Sequence, residues 1–261
     1  MKIQASVICH VGCVRSNNED NYYLQGQIRQ NVEQLSSRAE FDGGEGRILF
    51  AVADGMGGEA QGEFASLVAV KSLCPCAFEQ IQTEAARSIA QANALICQEI
   101  SRIGRRMGTT LAALYLDAGK AVVCNVGDSR VYLLRGGSLT QLSTDHSQVQ
   151  QLVDLGILTR EEARHHKGRH ALTQHLGIFE HEMIIQPAFS QSLELKDGDT
   201  FLLCSDGLTD MVEDETIHSI LSFGTPESQV EELIGKALAA GGRDNVTVLV
   251  ATVSEQEACN G

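Results

Sequence analysis

Residues 111–142, LAALYLDAGKAVVCNVGDSRVYLLRGGSLTQL, contain four short apolar segments separated by turn sequences. The turn sequences occupy residues 117–120, 127–129 and 136–137, and each of them contains glycine. Valine, leucine and tyrosine in short runs favour strands, and glycine beside a small polar residue favours tight turns. We therefore predict that this stretch forms an antiparallel meander of four strands.

The elements predicted on either side of the meander fall into separate runs of strands and of helices. Further strands are predicted in residues 1–26, 48–54 (ILFAVAD), 183–189 (MIIQPAF), 200–206 (TFLLCSD) and 245–253 (NVTVLVATV). Helices are predicted over 59–74 and 80–103, which Pro75 separates, and near 227–239. The helix over 80–103 repeats apolar residues along one face, namely Ile81, Ala85, Ile89, Ala92, Ile96 and Ile103. Separate runs of strands and helices favour an α+β fold over an alternating α/β fold.

Two polar segments interrupt these elements. Residues 27–47 are polar and rich in glycine, and we expect them to form a surface insertion. Residues 146–182, called the flap below, contain six histidines and two short helical segments, and we expect a mobile surface subdomain. Residues 1–254 are expected to form one domain, followed by a short tail at 255–261.

The charge balance excludes several classes of partner. The chain has 20 lysine and arginine residues against 34 aspartate and glutamate residues, for a net charge of −14. Such a charge repels nucleic-acid backbones and anionic lipid surfaces, so neither is an expected partner. The first 20 residues lack the layout of a signal peptide, and no apolar run approaches the length of a membrane span. We expect a cytoplasmic protein whose eight cysteines are reduced and mostly buried.

Aspartates recur at the ends of the most apolar strands. Asp54-Gly55 follows LFAVA, Asp206-Gly207 follows FLLCS, Asp244 precedes NVTVLVATV, and Asp128 follows VCNVG. Aspartate beside glycine is also a common turn former, which is the alternative explanation for each one. Turn formation does not explain why the carboxylates follow buried strands, where they would be desolvated and would repel each other. A shared cation would remove that cost.

Hard divalent cations suit such a set of oxygen ligands. Mg²⁺ and Mn²⁺ bind carboxylates and retain several waters. Two such ions about 4 Å apart can hold a bridging hydroxide in line with a phosphorus atom. The glycine after a bridging aspartate exposes its backbone carbonyl, and we expect Gly55 to supply a ligand in this way.

Seven short motifs resemble those of the type 2C, metal-dependent protein serine/threonine phosphatases, particularly the bacterial branch. They follow that family's order over nearly the whole chain, which is much stronger evidence than any single motif. The motifs lie at residues 12–20 (GCVRSNNED), 54–58 (DGMGG), 108–110 (GTT), 127–130 (GDSR), 145–147 (DHS), 205–210 (SDGLTD) and 241–247 (GGRDNVT).

The resemblance implies a fold and a reaction. The fold is a sandwich of two mostly antiparallel sheets flanked by helices, with the metals at one end. The reaction is hydrolysis of phosphoserine and phosphothreonine in proteins by direct attack of a metal-bridging hydroxide, without a phosphoenzyme intermediate. The cofactors are two Mn²⁺ or Mg²⁺ ions and a third, weaker ion. The implied partners are phosphoprotein substrates and an opposing serine/threonine kinase, and the chain is expected to be a monomer.

The resemblance also implies roles for the predicted metal ligands. Asp54 resembles the bridging ligand, Asp206 and Asp244 the other ligands of one metal, and Gly55 the carbonyl ligand of the second. Asp128 resembles a ligand that shares the third metal with Asp206, although a hairpin-turn aspartate is the alternative.

Three further residues of the first motif receive roles in the same way. Glu19 and Asp20 resemble partners of metal-bound water. Arg15 resembles the phosphate clamp, and its planar guanidinium suits contact with two phosphate oxygens. The alternative for Arg15 is a solvated surface arginine.

Two departures from the family bear on mechanism. The eukaryotic branch carries a histidine, often assigned as the general acid, at the position of Met56, whereas this chain carries methionine as bacterial members do. That methionine leaves the proton donor unidentified. In the flap, Lys167 and His170 stand where similar bacterial sequences often have proline and asparagine, which bears on the conformation of the flap and on substrate preference.

Two other classes of function compete with the enzyme. A catalytically idle relative could serve as a binding module, but it would be expected to lose metal aspartates, and none is missing here. A zinc-binding protein could be built on the flap, but His165, His166, His170 and His175 lack a matched second pair of ligands. Surface histidines are the simpler explanation for them.

Overall fold

The computed structural model describes residues 1–30, 36–42, 46–57 and 61–255. Four features predicted from the sequence lie at least partly outside these ranges. They are the middle of the 27–47 segment, the last glycine of the 54–58 motif, the start of the helix predicted from residue 59, and the tail with Cys259.

The strands and helices begin and end as follows. The strands are β1 (Lys2–His10), β2 (Asn21–Leu24), β3 (Gln27–Ile28), β4 (Ser36–Asp42), β5 (Ile48–Ala53), β6 (Gly55–Met56), β7 (Gly108–Thr109), β8 (Leu111–Asp117), β9 (Lys120–Val126), β10 (Arg130–Arg135), β11 (Ser138–Gln141), β12 (Ala188–Phe189), β13 (Leu193–Glu194), β14 (Thr200–Cys204) and β15 (Val246–Ser254). The helices are α1 (Gln61–Lys71), α2 (Ile81–Ile103), α3 (Gln148–Asp154), α4 (Arg160–His165), α5 (Asp206–Thr209), α6 (Asp214–Leu221) and α7 (Pro226–Ala239).

Two antiparallel sheets dominate the described residues. The first has the strand order β11-β10-β14-β15-β1-β4, and the second has the order β12-β9-β8-β5-β2-β3, with β13 also pairing with β9. The sheets pack face to face because their central strands are apolar on both sides. In β5, Ile48, Phe50 and Val52 lie in the core between the sheets, whereas the residues between them face the helices.

The helices cover the two outer faces of the sandwich. α1 and α2 pack on the second sheet, and α2 buries the face predicted from its periodicity, with Ile100 in place of Ile103 at its end. α6 and α7 pack on the first sheet through residues such as Ile217 and Leu233. This arrangement of helix, sheet, sheet and helix confirms the predicted α+β sandwich.

The predicted four-stranded meander is wrong at its centre. β8 and β9 pair in the second sheet, whereas β10 and β11 pair in the first, so residues 127–129 cross between the sheets instead of forming a hairpin. Gly127 takes a positive φ of 97° at the crossing. The buried side chain of Asn125 fixes the chain there by donating to the carbonyl oxygens of Gly127 and Thr144. The same turn residues serve a hairpin or a crossover, so turn composition could not distinguish them.

The segment 27–47 is only partly a surface insertion. Residues 36–42 form β4, the edge strand that pairs with β1, and Ile28 and Arg29 are buried. An edge strand that is half exposed can be polar, which is why its sequence did not indicate a strand. In the segment 183–189, only Ala188–Phe189 (β12) forms a strand, so the strand is shorter than predicted. Helix α6 was not predicted from the sequence.

The cysteines of the described residues are free thiols. Five of the seven are buried and the other two, Cys13 and Cys74, are exposed, which confirms for this part of the chain the prediction that most cysteines are buried.

Candidate metal centre

The strand register brings the predicted carboxylates to one end of the sandwich. In the first sheet, Cys204 lies opposite both Val248 and Arg130, so the residues after β14 lie beside those before β15 and β10. In the second sheet, Ala53 lies opposite Asn21, so the end of β5 lies beside the start of β2. The aspartates that flank these strand ends are Asp20, Asp54, Asp128, Asp206 and Asp244.

The carboxylates interact strongly with one another. Burial, followed by the charges of Asp20, Asp206 and Asp128, raises the pKa of Asp54 well above its usual value. Burial and the charge of Asp206 raise the pKa of Asp128 in the same direction. Both shifts show that these carboxylates are costly to hold ionised together without a counter-charge.

Asp20 is the most deeply buried of the five aspartates. Its side chain is fully buried, and burial raises its pKa to about 7. Oδ2 accepts hydrogen bonds from Ser205 Oγ at 2.7 Å and from Thr247 Oγ1 at 2.8 Å. Oδ1 is buried and has no hydrogen-bond partner among the described residues. A buried carboxylate oxygen without a donor, among four further carboxylates, is the environment that a divalent cation satisfies.

The buried guanidinium of Arg29 fixes the backbone on either side of Glu19. Arg29 Nε donates to the carbonyl oxygen of Asp20 at 3.0 Å, and Nη2 donates to that of Asn18 at 2.6 Å. Arg29 is 6% exposed. The segment predicted as a surface insertion therefore supports the metal centre directly.

Asp54 is held by the motif at residues 108–110. Its N–H donates to Thr110 Oγ1 at 3.0 Å, and its carbonyl oxygen accepts from the N–H of Thr110 and from Thr109 Oγ1, both at 2.9 Å. Gly55 follows in a site that only glycine fits, because a Cβ atom there would lie 2.3 Å from the carbonyl oxygen of Gly62 and 2.4 Å from that of Glu19. The backbone geometry of the Asp54-Gly55 pair is thus fixed on both sides.

Asp244, a predicted metal ligand, contacts Arg15. Its Oδ2 accepts from Arg15 Nη2 at 2.8 Å, and its Oδ1 accepts from the N–H of Asn245. The buried Asn245 side chain also donates to the carbonyl oxygens of Val11 and Asn17 and accepts from the N–H of Glu19. These bonds fasten the loop that carries Arg15 to the start of β15. The Arg15 side chain remains 57% exposed.

Glu19 lies against the start of α1. Ser66 Oγ donates to its backbone carbonyl at 2.5 Å, and a Cβ atom at Gly62 would lie 2.7 Å from its carboxylate. The structure therefore brings all eight residues singled out from the sequence to the same end of the sandwich.

An ion pair between the partly buried Arg130 and the buried Asp145 connects two of the family motifs beside Asp128. Arg130 Nε and Nη2 donate to Asp145 Oδ2 at 2.9 and 2.7 Å, and Gln141 donates to Asp145 Oδ1. Asp145 begins the connection into the flap, so the pair anchors the base of the flap to β10.

The flap reaches the centre through His170. His170 Nδ1 lies 3.6 Å from Asp206 Oδ2, and Nε2 lies 3.4 Å from Asp210 Oδ2. These three are the one group of three described histidine, cysteine and acidic side chains whose ligand atoms all lie within 4.8 Å of one another. No three of the five aspartates lie that close together, although Asp54 and Asp206 are near enough to share a hydrogen bond. The flap residues Arg169 and His170 line a cavity of about 400 Å³ together with two of the five aspartates, Asp128 and Asp206.

The other flap histidines do not gather into a zinc site. His165 pairs with Glu161, and His166 accepts from the N–H of Gly168 in its own turn. His175 contacts the carbonyl oxygen of Leu176. These contacts favour the simpler explanation of surface histidines for all of them except His170.

The residues that hold the predicted carboxylates in place were not predicted from the sequence. Ser205, Thr110, Asn245 and Thr247 each lie within a family motif, so their position in a motif was the available signal. Arg29 lies in a polar segment outside every motif, and no pattern distinguished it from a surface arginine.

Comparison with known proteins identifies one family. Residues 38–234 match the family Protein phosphatase 2C. The protein phosphatase PhpP of Streptococcus pneumoniae is 36% identical, over 98% of this chain and 100% of PhpP. The serine/threonine protein phosphatase PstP of Mycobacterium tuberculosis is also 36% identical, over 94% of this chain. The match covers 44% of PstP, so this chain spans less than half the length of that relative.

Solved structures share the whole fold. The crystal structure of PstP matches with a TM-score of 0.82 at 33% identity, over 98% of this chain and 100% of that chain. The catalytic domain of PstP in complex with two manganese ions matches with a TM-score of 0.76 at 32% identity, over the same shares of both chains. Across the residues described for this chain, every helix is too short or too polar to cross a membrane.

Proposed function

The chain belongs to the protein phosphatase 2C family, and from that premise we propose that it hydrolyses phosphoserine and phosphothreonine in proteins with the help of divalent metal ions. The observation that carries this proposal is the set of five aspartates at one end of the sandwich, with the unpartnered Oδ1 of Asp20 buried among them. A turn-forming role would explain none of that burial.

Four residues are proposed to hold the two ions. Asp54 would bridge them, Asp206 and Asp244 would complete one site, and the carbonyl of Gly55 would contribute to the other. Glu19 and Asp20 would accept hydrogen bonds from water on the ions, and Asp128 would share a third, weaker ion with Asp206. Bound ions supply a hydroxide nucleophile, neutralise phosphate charge and acidify water that can protonate a leaving group. We propose that transfer goes directly to water, without a phosphoenzyme.

Arg15 is proposed to bind the substrate phosphate. One side of its guanidinium donates to Asp244, which orients the group, and more than half of the side chain remains exposed to a ligand. Two parallel N–H donors match two phosphate oxygens. Met56 can donate no proton, so the chain's own side chain at that position cannot act as the general acid.

Phosphate release from a phosphothreonine peptide tests the proposal. After metal-free purification, we expect release with Mn²⁺ or Mg²⁺ and none in excess chelator, because carboxylates alone provide neither nucleophile nor positive charge. Circular dichroism under both conditions would show that the fold persists without metal. Full activity in chelator would contradict the proposal, and metal binding without any release would favour the catalytically idle alternative. Phosphoprotein substrates, an opposing kinase, a monomeric state and a cytoplasmic location stay predictions.

A further inference from the structure

A short ladder of paired backbone segments runs from the metal centre to helix α2. Its inner strand is β6, which contains Gly55. β7 lies beside it with Thr109 opposite Gly55, and Leu176 of the flap pairs with Thr109 from the other side. The Thr109 N–H donates to the Leu176 carbonyl oxygen at 3.1 Å, and the Leu176 N–H donates to the Thr109 carbonyl oxygen at 2.9 Å. The flap therefore returns to the core as a third strand beside Asp54-Gly55.

The side chain of Asn93 holds the outer end of this ladder. Asn93 lies on α2, where its Oδ1 accepts from the N–H of Gly177 at 2.7 Å and its Nδ2 donates to the carbonyl oxygen of Ile178 at 2.9 Å. Gly177 has a φ of 101°, and a Cβ atom on it would lie 2.2 Å from the carbonyl oxygen of Met107. The segment 176–178 is therefore held closely between α2 and the residue that precedes β7.

Burial makes the ladder able to transmit a shift. Thr109 and Leu176 are both fully buried, and Thr109 Oγ1 donates to the carbonyl oxygen of Asp54 at 2.9 Å. Water cannot replace a lost partner of a buried backbone group, so these hydrogen bonds keep the strands together when one of them moves. Metal ligands need to be held within about 0.5 Å of their working positions. Displacement of the outer strand should therefore reach the metal ligands and lower metal affinity.

We propose that Asn93 is a positioning residue for the metal centre, because it holds the ladder that places the Asp54 carboxylate and the Gly55 carbonyl. The inference rests on the proposed function, since it takes both groups as metal ligands. It also separates the tasks of the two ends of the flap. The end at Asp145 is held by an ion pair to β10, whereas the end at 176–178 supports the bridging ligand.

Hydrogen exchange of the metal-free chain tests the ladder without any ion. Asn93→Ala removes the acceptor of the Gly177 N–H and leaves the Ile178 carbonyl with the thiol of Cys97 at 3.4 Å. We expect faster exchange at the edited strand and also over residues 108–110, because the N–H of Thr109 bonds to that strand.

Ile81→Val is the matched control for Asn93→Ala. Ile81 is the first residue of α2 and is buried in the core cluster that also contains Leu176, so the variant loses packing on the same helix. It should lower the melting temperature and leave exchange over residues 108–110 unchanged.

Titration with Mn²⁺ measures the consequence for the metal centre. By calorimetry, Asn93→Ala should weaken Mn²⁺ binding roughly 10-fold, which is the low end of the effect of losing a group that orients metal ligands. The Mn²⁺ concentration for half-maximal phosphate release from the phosphothreonine peptide should rise by the same factor, and saturating Mn²⁺ should restore most of the turnover. Ile81→Val should keep the wild-type affinity.

Asn93→Asp provides a milder variant for the same measurements. Its carboxylate keeps an acceptor for the Gly177 N–H but has no donor for the Ile178 carbonyl. Its Mn²⁺ affinity and its exchange rates should lie between those of the wild type and Asn93→Ala. The same comparison decides the question if Asn93→Ala fails to fold.

Three results would overturn the inference. They are unchanged Mn²⁺ affinity in the Asn93 variants, faster exchange confined to residues 176–178, and equal changes in Ile81→Val at the same loss of melting temperature. Failure of the proposed function would look different. A wild-type chain that binds Mn²⁺ but releases no phosphate would contradict the phosphatase assignment, while exchange and calorimetry would still decide the role of Asn93.

Discussion

The two sides of the metal centre are built differently. On the buried side, Asp20 is fully enclosed, receives two hydroxyl hydrogen bonds of 2.7 and 2.8 Å, and has its backbone held by the buried Arg29. On the flap side, His170 and Arg169 approach Asp206 and Asp210 at 3.4 to 3.7 Å, and the His170 side chain is 49% exposed. Short bonds among buried groups fix a geometry before ligands arrive, whereas long contacts at a partly exposed site can adjust. We infer that the buried side sets metal geometry and that the flap side adapts to metal and substrate.

Asp206→Asn should have the largest effect on turnover, because Asp206 interacts both with the buried carboxylate Asp54 and with His170 of the flap. The substitution keeps the volume but removes one ligand charge, so turnover of a phosphothreonine peptide should fall by several orders of magnitude. The metal-free protein should melt at a higher temperature, since a charge that repels Asp54 and Asp128 is removed.

Asp197→Asn provides the matched control for that experiment. Asp197-Gly198 is another aspartate–glycine turn, and its carboxylate accepts from the N–H of Glu255 away from the centre. It should leave turnover unchanged. If Asp206→Asn also kept near-normal turnover, Asp206 would have only the turn-forming role that Asp197 has.

Asp128→Ala should separate the leaving-group step from metal binding. Cleavage of phosphoserine expels a basic alkoxide that needs a proton, whereas p-nitrophenyl phosphate expels a stable phenolate. Because general acid catalysis contributes roughly 10² to 10⁴-fold, phosphoserine peptide turnover should fall by about that factor while aryl phosphate turnover changes little. Binding of the first two ions, followed by calorimetry, should persist.

The other outcomes for Asp128→Ala identify different roles. Equal losses on both substrates would place Asp128 in the two-ion core. No loss on either would remove it from the mechanism and make the flap histidines His146 and His166 the next proton donors to test.

Arg29→Met should impair the buried side specifically. The substitution removes the guanidinium donors from the carbonyls of Asn18 and Asp20, and among the described residues the Asp20 carbonyl keeps only the Cys9 thiol at 3.7 Å, which costs about 1 to 3 kcal/mol of stability. Loss of such a supporting contact typically weakens metal affinity roughly 10 to 100-fold, so the Mn²⁺ concentration for half-maximal activity should rise by that factor. Saturating Mn²⁺ should restore most of the turnover. A drop in melting temperature with unchanged Mn²⁺ dependence would make Arg29 a purely structural residue.

The sequence indicated which carboxylates meet at the end of the sandwich, but not the residues that hold them in place. Strand-end aspartates stand out because apolar runs make a following carboxylate conspicuous, and Asp54, Asp206 and Asp244 were found in that way. The crossing at residues 127–129 could not be distinguished from a hairpin, because the choice of sheet depends on contacts such as those of Asn125 with Thr144. Arg29 escaped notice because its burial depends on strands distant in sequence.

Thr159→Ala should have the smallest effect and should be confined to the flap. Thr159 caps α4 by accepting from the N–H of Glu162 at 3.2 Å, and Glu162 accepts in return from the N–H of Thr159 at 2.8 Å. Loss of such a cap costs about 1 kcal/mol. α4 buries only Ala163, so that cost should appear as faster hydrogen exchange over residues 159–166 while the melting temperature stays the same.

The equivalent cap of α7 provides the matched control for the flap. Thr225 accepts from the N–H of Ser228 in the same kind of capping box, but α7 buries six residues against the first sheet. Thr225→Ala removes a comparable bond from a helix that unfolds only with the sandwich, so its cost of about 1 kcal/mol should lower the melting temperature by roughly 2 to 4 °C. Metal affinity should change in neither variant, because neither cap touches a ligand. If Thr159→Ala lowered the melting temperature as much as Thr225→Ala, the flap would unfold together with the sandwich, and the contrast between a fixed and an adjustable side of the centre would fail.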